Sequence, residues 1–288
     1  MSAVSIVLGD NRYGKAETRL LRVIRGDDRH EIRDLSVSIT LAGDFEAVHI
    51  RGDNSNVLPT DTQKNTVYAF VKEAPLGEIE DFALRLARHF VRTCEPVRQA
   101  RAHVEEYPWA HVQVDGAPHP HTFLRTSSER RLTTVTCESE EASAVSGLAD
   151  LVVLRSAGSE FWGFARDRYT TLEETHDRIL ATAVTAQWRF STLNVRWAES
   201  FAEARQALLE GFALHRSLSL QQTLFQMARA VLEARPEIAE VRLEMPNKHH
   251  FAVDLAPFGL TNDNEVFYVA DRPYGVIEAT VRRTPAAS

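Results

Sequence analysis

The chain has 288 residues, 44% of them hydrophobic and 25% charged, and a formal net charge of −7 at pH 7. A chain of that size and composition folds around a large core in one or two globular domains. Its charges of both signs are spread along the sequence, which excludes a generic polyanion-binding surface and hence a nucleic-acid partner, and no apolar run reaches the roughly 18 residues of a membrane span.

Leu35 to Leu41 (LSVSITL) alternates apolar and polar residues and predicts a half-buried strand. Ala47 to Ile50 predicts a second, short strand after a turn at Gly43-Asp44. Ile79, Phe82, Leu86 and Phe90 recur at helical spacing and predict a helix from about Glu78 to Thr93. Ala102 to Val114 alternates again and ends at Asp115-Gly116, a hairpin signal, with Thr122 to Leu124 and Arg131 to Cys137 strand-like beyond it. The next stretch, Glu138 to Gly147 (ESEEASAVSG), lacks large hydrophobics and reads as the joint between two halves, 1–140 and 141–288.

The second half opens with a strand at Leu151 to Arg155. Thr171-Leu172-Glu173-Glu174 has the form of a capping box and would place Arg178 on the helix it starts. Ser200-Phe201-Ala202-Glu203 has the same form, with Phe201, Leu208 and Phe212 facing inward. Ser219-Leu220-Gln221-Gln222 is a third start, and its helix carries Leu220, Thr223, Leu224, Met227, Val231 and Leu232 on one face. Val241 to Met245 and Phe251 to Leu255 read as strands flanking a tight polar turn, Pro246-Asn247-Lys248-His249, and a last strand pair covers about Glu265 to Arg282. Each half is thus antiparallel strands plus helices, an α+β pattern in tandem. Neither contains G-x-G-x-x-G or a P-loop, which weighs against nucleotide-binding α/β folds.

Cys94 and Cys137 are far apart, lack metal-ligand spacing and read as reduced thiols. Met1 to Asp10 is too short and polar for a signal peptide, and Thr284 to Ser288 is not a peroxisomal tail, so the expected location is the cytoplasm. Among the 11 histidines only His119-Pro120-His121 and His249-His250 are closely spaced. The first is read as part of a proline-rich loop without a nearby carboxylate or cysteine, so no metal site is expected.

Five segments carry chemistry: Tyr13-Gly14-Lys15, Thr60 to Thr66, Ser159 to Phe164, Arg178, and Pro246 to His250. Taken singly, each has a structural reading: a solvated lysine, a polar turn, packed aromatics, an exposed arginine, a loop between strands. Together, and in this order, YGK, PTDTQKNTVY, SEFWGFARDRYTTLEETHDRIL, SLQQTLFQMA and MPNKHHFAVDL resemble the urate oxidase (uricase) family from residue 13 to residue 255. The resemblance implies two tandem T-fold (tunnelling fold) domains, each a four-stranded antiparallel sheet with helices on one face. It also implies a tunnel-shaped homotetramer with active sites at subunit interfaces. The implied reaction is oxidation of urate by O2 and water to 5-hydroxyisourate and hydrogen peroxide, with no cofactor and no metal.

By the same resemblance Phe161 stacks under the purine, Arg178 clamps its anionic edge, and the Gln221 side chain and Leu220 backbone N–H take the opposite edge. Thr60 and Asn247 hold water or O2 above the ring. Lys15, Thr60 and His249 relay protons, and Asp61 contributes through its backbone. One of these roles also follows from the residues. With Ser219 as N-cap, the N–H groups of Leu220 and Gln221 lack intrahelical partners and face outward at the positive end of the helix dipole. His250 stands where the family often has an aromatic residue, and strand alternation would turn it away from the substrate. The rival readings are a metal enzyme, another T-fold enzyme acting on a pterin, and a non-catalytic protein binding a flat purine.

Overall fold

A computed structural model describes residues 5–284 of the chain. Met1 to Val4 and Pro285 to Ser288, which belong to the two terminal segments read above for targeting, lie outside the described residues. The chain divides into two compact units, Met1–Ser146 with Thr192–Trp197, and Gly147–Ser191 with Ala198–Ser288.

The first unit runs β1 (Tyr13–Arg25), β2 (His30–Gly43), α1 (Glu46–Arg51), α2 (Thr60–Glu73), α3 (Ile79–Thr93), β3 (Val97–Tyr107), β4 (Trp109–Val114), β5 (Ala117–Arg125) and β6 (Arg130–Glu138). Strands β1, β2, β3 and β6 pair antiparallel in that order, and β4 and β5 form a separate hairpin. Helix α2 packs on β1, and α3 on β3 and β6. Leu35, Val37, Ile39 and Leu41 of β2 are buried, as are Phe82, Leu86 and Phe90 of α3, so the period-two and period-3.6 patterns supply the two layers of one core.

The segment β7 (Glu141–Arg155) begins in the first unit and continues in the second. The second unit goes on with β8 (Leu180–Phe190), α4 (Trp197–Ala213), α5 (Leu220–Ala234), β9 (Ile238–Glu244), β10 (Asn247–Ala252), β11 (Phe267–Gly275) and β12 (Glu278–Arg282). Here β7, β8, β9 and β12 neighbour one another in order, while β10 and β11 form a hairpin attached to β8. Among the described residues the two units repeat one plan: two strands, a pair of long helices, a third strand, a hairpin and a fourth strand. The whole inward face predicted for α5 is buried, Leu220, Thr223, Leu224, Met227, Val231 and Leu232 alike. No helix among the described residues is long and apolar enough to cross a membrane.

Several local expectations are corrected. Ala47 to Ile50 is helical, inside α1, and Gly52 closes that helix with φ 69° and an N–H on the carbonyls of Ala47 and Val48. A short mixed run is compatible with either period, and the left-handed glycine decides it. The alternation from Ala102 to Val114 is two strands, broken at Pro108, which has no N–H to give a ladder. The Asp115-Gly116 turn is present, both residues at positive φ (53° and 77°), as a tight hairpin requires. His119 and His121 lie in strand β5, not in a loop; a two-stranded ribbon has free edges that tolerate Pro118 and Pro120. No group of three His, Cys, Asp or Glu residues with metal-holding geometry occurs among the described residues. Ser200 is inside α4, not at its start, and its hydroxyl donates to Glu237 Oε1 (2.8 Å). The capping box at Thr171 opens no helix. Leu172 is half exposed there and the stretch has no apolar stripe to bury, so a cap by itself does not nucleate a helix.

Candidate active site

The second unit builds its site where α5 begins. Ser219 is the N-cap as expected: its backbone is extended and its Oγ accepts from the Gln222 N–H (3.1 Å). Leu220 is buried and Gln221 is exposed, so the helix is anchored while its open N–H end and the Gln221 amide face out.

The loop from β7 to β8 is laced to the segment entering that helix. Ser217 donates its N–H to Gly158 O (3.0 Å), and Glu160 donates to Ser217 O (2.7 Å). On the other side Arg178 N–H donates to Ser159 O (2.9 Å), and Phe161 and Thr175 exchange a pair of bonds (2.8 and 3.0 Å). Three stretches of chain therefore run side by side, and they carry Phe161, Arg178 and the start of α5. Arg178 thus acts from a loop, not from the helix expected of it. Its guanidinium carbon lies 5.0 Å from the Phe161 ring centre, and Phe164 stacks on Phe161 at 5.0 Å and 15°.

The electrostatics of Arg178 are unusual for an arginine. Its Nε is buried without a hydrogen-bond partner among the described residues, and burial holds its pKa below the ordinary arginine value. Among the described residues Arg178 makes no ion pair, and a guanidinium with a free donor in a cavity favours a bound anion.

Asn247 and His249 complete the same cavity, which has a volume of about 580 Å³ and is lined by Phe161, Arg178, Leu220, Gln221, Asn247 and His249 among others. The predicted Pro246 to His249 turn is corrected: Asn247 and His249 are in strand β10. Both β9 and β10 run antiparallel to β8, with Glu244 opposite Thr185 and Asn247 opposite Thr182, so Pro246 marks a jog along one line and not a reversal. The pairing of β10 with β11 slips between Asn247 and His249, and the two side chains approach to 3.5 Å, Nδ2 to Nδ1. That slip also disturbs strand alternation. His250, expected to face away, lines the cavity too, with its Nδ1 3.0 Å from Lys248 O.

Lys15, Thr60 and Asp61 belong to the first unit and do not line this cavity. They form a group of their own. Thr60 is the first residue of α2, where a polar turn was expected, and Asp61 is the second. The Tyr13 hydroxyl accepts from Leu58 N–H (2.9 Å) and donates to Leu58 O (3.1 Å), tying the entry of α2 to β1 two residues before Lys15. A Cβ on Gly14 would sit 1.9 Å from Ile39 O, so only glycine lets β1 lie this close to β2. The strand then bulges between Lys15 and Thr18, with Glu17 at φ 54° and its N–H on Ser38 Oγ (2.9 Å). Lys15 is half-buried. The Asp61 carboxyl is held below the usual range, chiefly by Lys64, then by Asn65 and the charge of Lys15. The side-chain role of Tyr13 was not predicted from the sequence; its only signal was its place in the YGK segment.

The uricase family profile matches residues 11–136 and 144–278. The uricase of Arthrobacter globiformis is 50% identical over 282 residues, 98% of this chain and 92% of that protein. The uricase of Dictyostelium discoideum is 36% identical over 278 residues, 96% of this chain and 97% of that one. The crystal structure of the Arthrobacter globiformis uricase superposes with a TM-score of 0.93 at 50% identity, covering 99% of this chain and 98% of that chain. A Bacillus sp. TB-90 urate oxidase structure, 23% identical, shares the fold with a TM-score of 0.82 over 95% of this chain and 100% of that chain. The fold is accordingly the tandem T-fold expected above. With the profile spanning both repeats and a relative half identical along nearly the full length, the chain belongs to the uricase family.

Proposed function

We propose that the protein oxidises urate with O2 and water to 5-hydroxyisourate and hydrogen peroxide, using neither metal nor organic cofactor. The observation that carries this reading is Arg178, a buried-edge guanidinium with an unpartnered Nε, 5.0 Å from an aromatic ring and in one cavity with the start of α5. A flat anionic heterocycle satisfies all three features at once. Phe161 stacks on its face, Arg178 makes charge-assisted bonds to one edge, and Gln221 with the Leu220 N–H takes the other.

Urate gives two electrons to O2, which leaves as peroxide, and water supplies the new hydroxyl oxygen. The chain's part is to bind the anion and move protons. Asn247 and Thr60 hold the water or O2 above the ring, and Lys15, Thr60 and His249 pass protons to and from it. Asp61 contributes its backbone. Lys15, Thr60 and Asp61 fall in the first unit, while the six cavity residues fall in the second. We infer a homotetramer in which the first-unit group of one subunit completes the cavity of another. The free thiols Cys94 and Cys137 fit a cytoplasmic setting.

Oxygen uptake tests the reading. Purified protein should consume O2 and urate in equal amounts and release peroxide, after exhaustive chelation and with no flavin or haem absorbance. Activity that chelation abolishes and one added metal restores would refute it.

A further inference from the structure

Beside the cavity is a buried carboxylate that the roles above leave unused. Glu160 is 3% exposed. Its Oε2 accepts from Trp162 Nε1 (2.6 Å) and lies 3.5 Å from His176 Nδ1, and its Oε1 accepts from Arg216 Nε. Its backbone N–H meanwhile holds Ser217 O at 2.7 Å. One residue thus binds three stretches of chain, and each delivers part of the site. Phe161 is its neighbour, Arg178 follows His176 by two residues, and Leu220 follows Arg216 by four. The bond from Trp162, then those from Arg216 and His176, hold the carboxyl below its ordinary range, so it is ionised at neutral pH and accepts only.

We propose that Glu160 is a positioning residue for the oxidation: it sets Phe161 and Arg178 in register with the N–H end of α5. The inference rests on the urate-oxidising reading given above. Three features favour positioning over general stabilisation. The carboxylate lies at the edge of the fold and not in the core, since Arg216 and His176 have side chains 70% exposed. The loop it gathers contains no helix and little buried apolar surface, so hydrophobic packing does not hold it. Arg178 has no ion pair of its own among the described residues to fix it, and its place depends on the ladder that Glu160 closes. Misplacing a substrate clamp by an ångström costs up to about a hundredfold.

The test compares Glu160→Ala and Glu160→Gln with wild type in urate KM and kcat, in the Kd for xanthine (a flat purine with no oxygen at C8, used as a binding probe) and in melting temperature. Glu160→Ala should raise urate KM and xanthine Kd together by roughly 10- to 100-fold. Glu160→Gln, which keeps an oxygen acceptor for Trp162 or Arg216, should recover part of that loss. The double variant Glu160→Ala/Arg178→Ala should lose clearly less xanthine affinity than the sum of the two single losses, because part of the first change acts through Arg178. If Glu160→Ala does not fold, Trp162→Phe and Arg216→Ala each remove one partner of the carboxylate from the exposed side, and each should raise KM in the same direction. A lowered melting temperature with unchanged KM and Kd would overturn the proposal, as would additive losses in the double variant. A wild-type protein that binds xanthine but leaves urate unoxidised would instead count against the function and not against the role of Glu160.

Discussion

Arg178→Ala separates a binding residue from a structural one by the sign of two effects. Among the described residues the guanidinium makes no ion pair, and its Nε is buried without a hydrogen-bond partner. Leaving such a donor unmet costs about 1–3 kcal/mol, which the alanine variant regains. Against that stands the cation–π contact with Phe161, worth about 0.5–1 kcal/mol. The folded state should therefore lose nothing and gain up to about 2 kcal/mol. A gain of 1 kcal/mol raises the melting temperature by about 2–4 °C in a protein of this class of size. Substrate binding moves the opposite way. Losing a charged hydrogen-bonding contact costs about 1.5–3 kcal/mol, or roughly 10- to 150-fold in affinity. Urate KM, xanthine Kd and a thermal melt are measured on the same preparation. A melting temperature lowered by more than about 4 °C with xanthine Kd unchanged would show that Arg178 supports the fold and not the ligand.

Lys15→Met should leave xanthine binding nearly intact and lower turnover by about 10²–10⁴-fold, and equal loss of xanthine affinity would make Lys15 a ligand and not a proton carrier. Co-expressed Lys15→Met and Arg178→Ala chains should form hybrids with roughly a quarter of sites restored, by random pairing at each two-chain site. Hybrids confirmed by mass but as inactive as their parents would place both residues in a single chain's site. Glu80, 1% exposed, holds one arm of Arg131 (2.8 Å) and the Ser146 hydroxyl (2.7 Å), while Glu78 holds the other arm (2.6 Å), so Glu80→Ala should cost about 1–3 kcal/mol by removing a buried acceptor from both groups with Arg131 still paired to Glu78. A melting temperature unchanged in that variant would contradict the reading. The Glu80 carboxyl is pushed up chiefly by burial, so its own titration favours the folded state at low pH and loses that contribution as pH rises through the folded value.

Much of the architecture is legible in the sequence because it depends on short-range periodicity. The stripes on α3 and α5 and the alternation of β2 need one buried face each, and their residues are buried as the spacing requires. Ser219 caps α5 because a serine before a helical stripe can bond the first turn, and Asp115-Gly116 turns because both positions tolerate positive φ. The order of the five segments was enough to point to the family. What lay beyond it are contacts between residues distant in sequence. Thr171 has a helix start's pattern, yet the loop takes its shape from bridges of Phe161 to Thr175 and Ser159 to Ser217. Pro246-Asn247 looks like a turn, yet β8 offers one line of partners to both β9 and β10. Tyr13 bonding Leu58, and Glu160 gathering Trp162, His176 and Arg216, have no local signature, since each bond joins groups that only the folded chain brings within reach. Propensity and pattern are set by neighbours within a few residues, whereas the placement of a polar side chain is set by whichever partner the packing delivers.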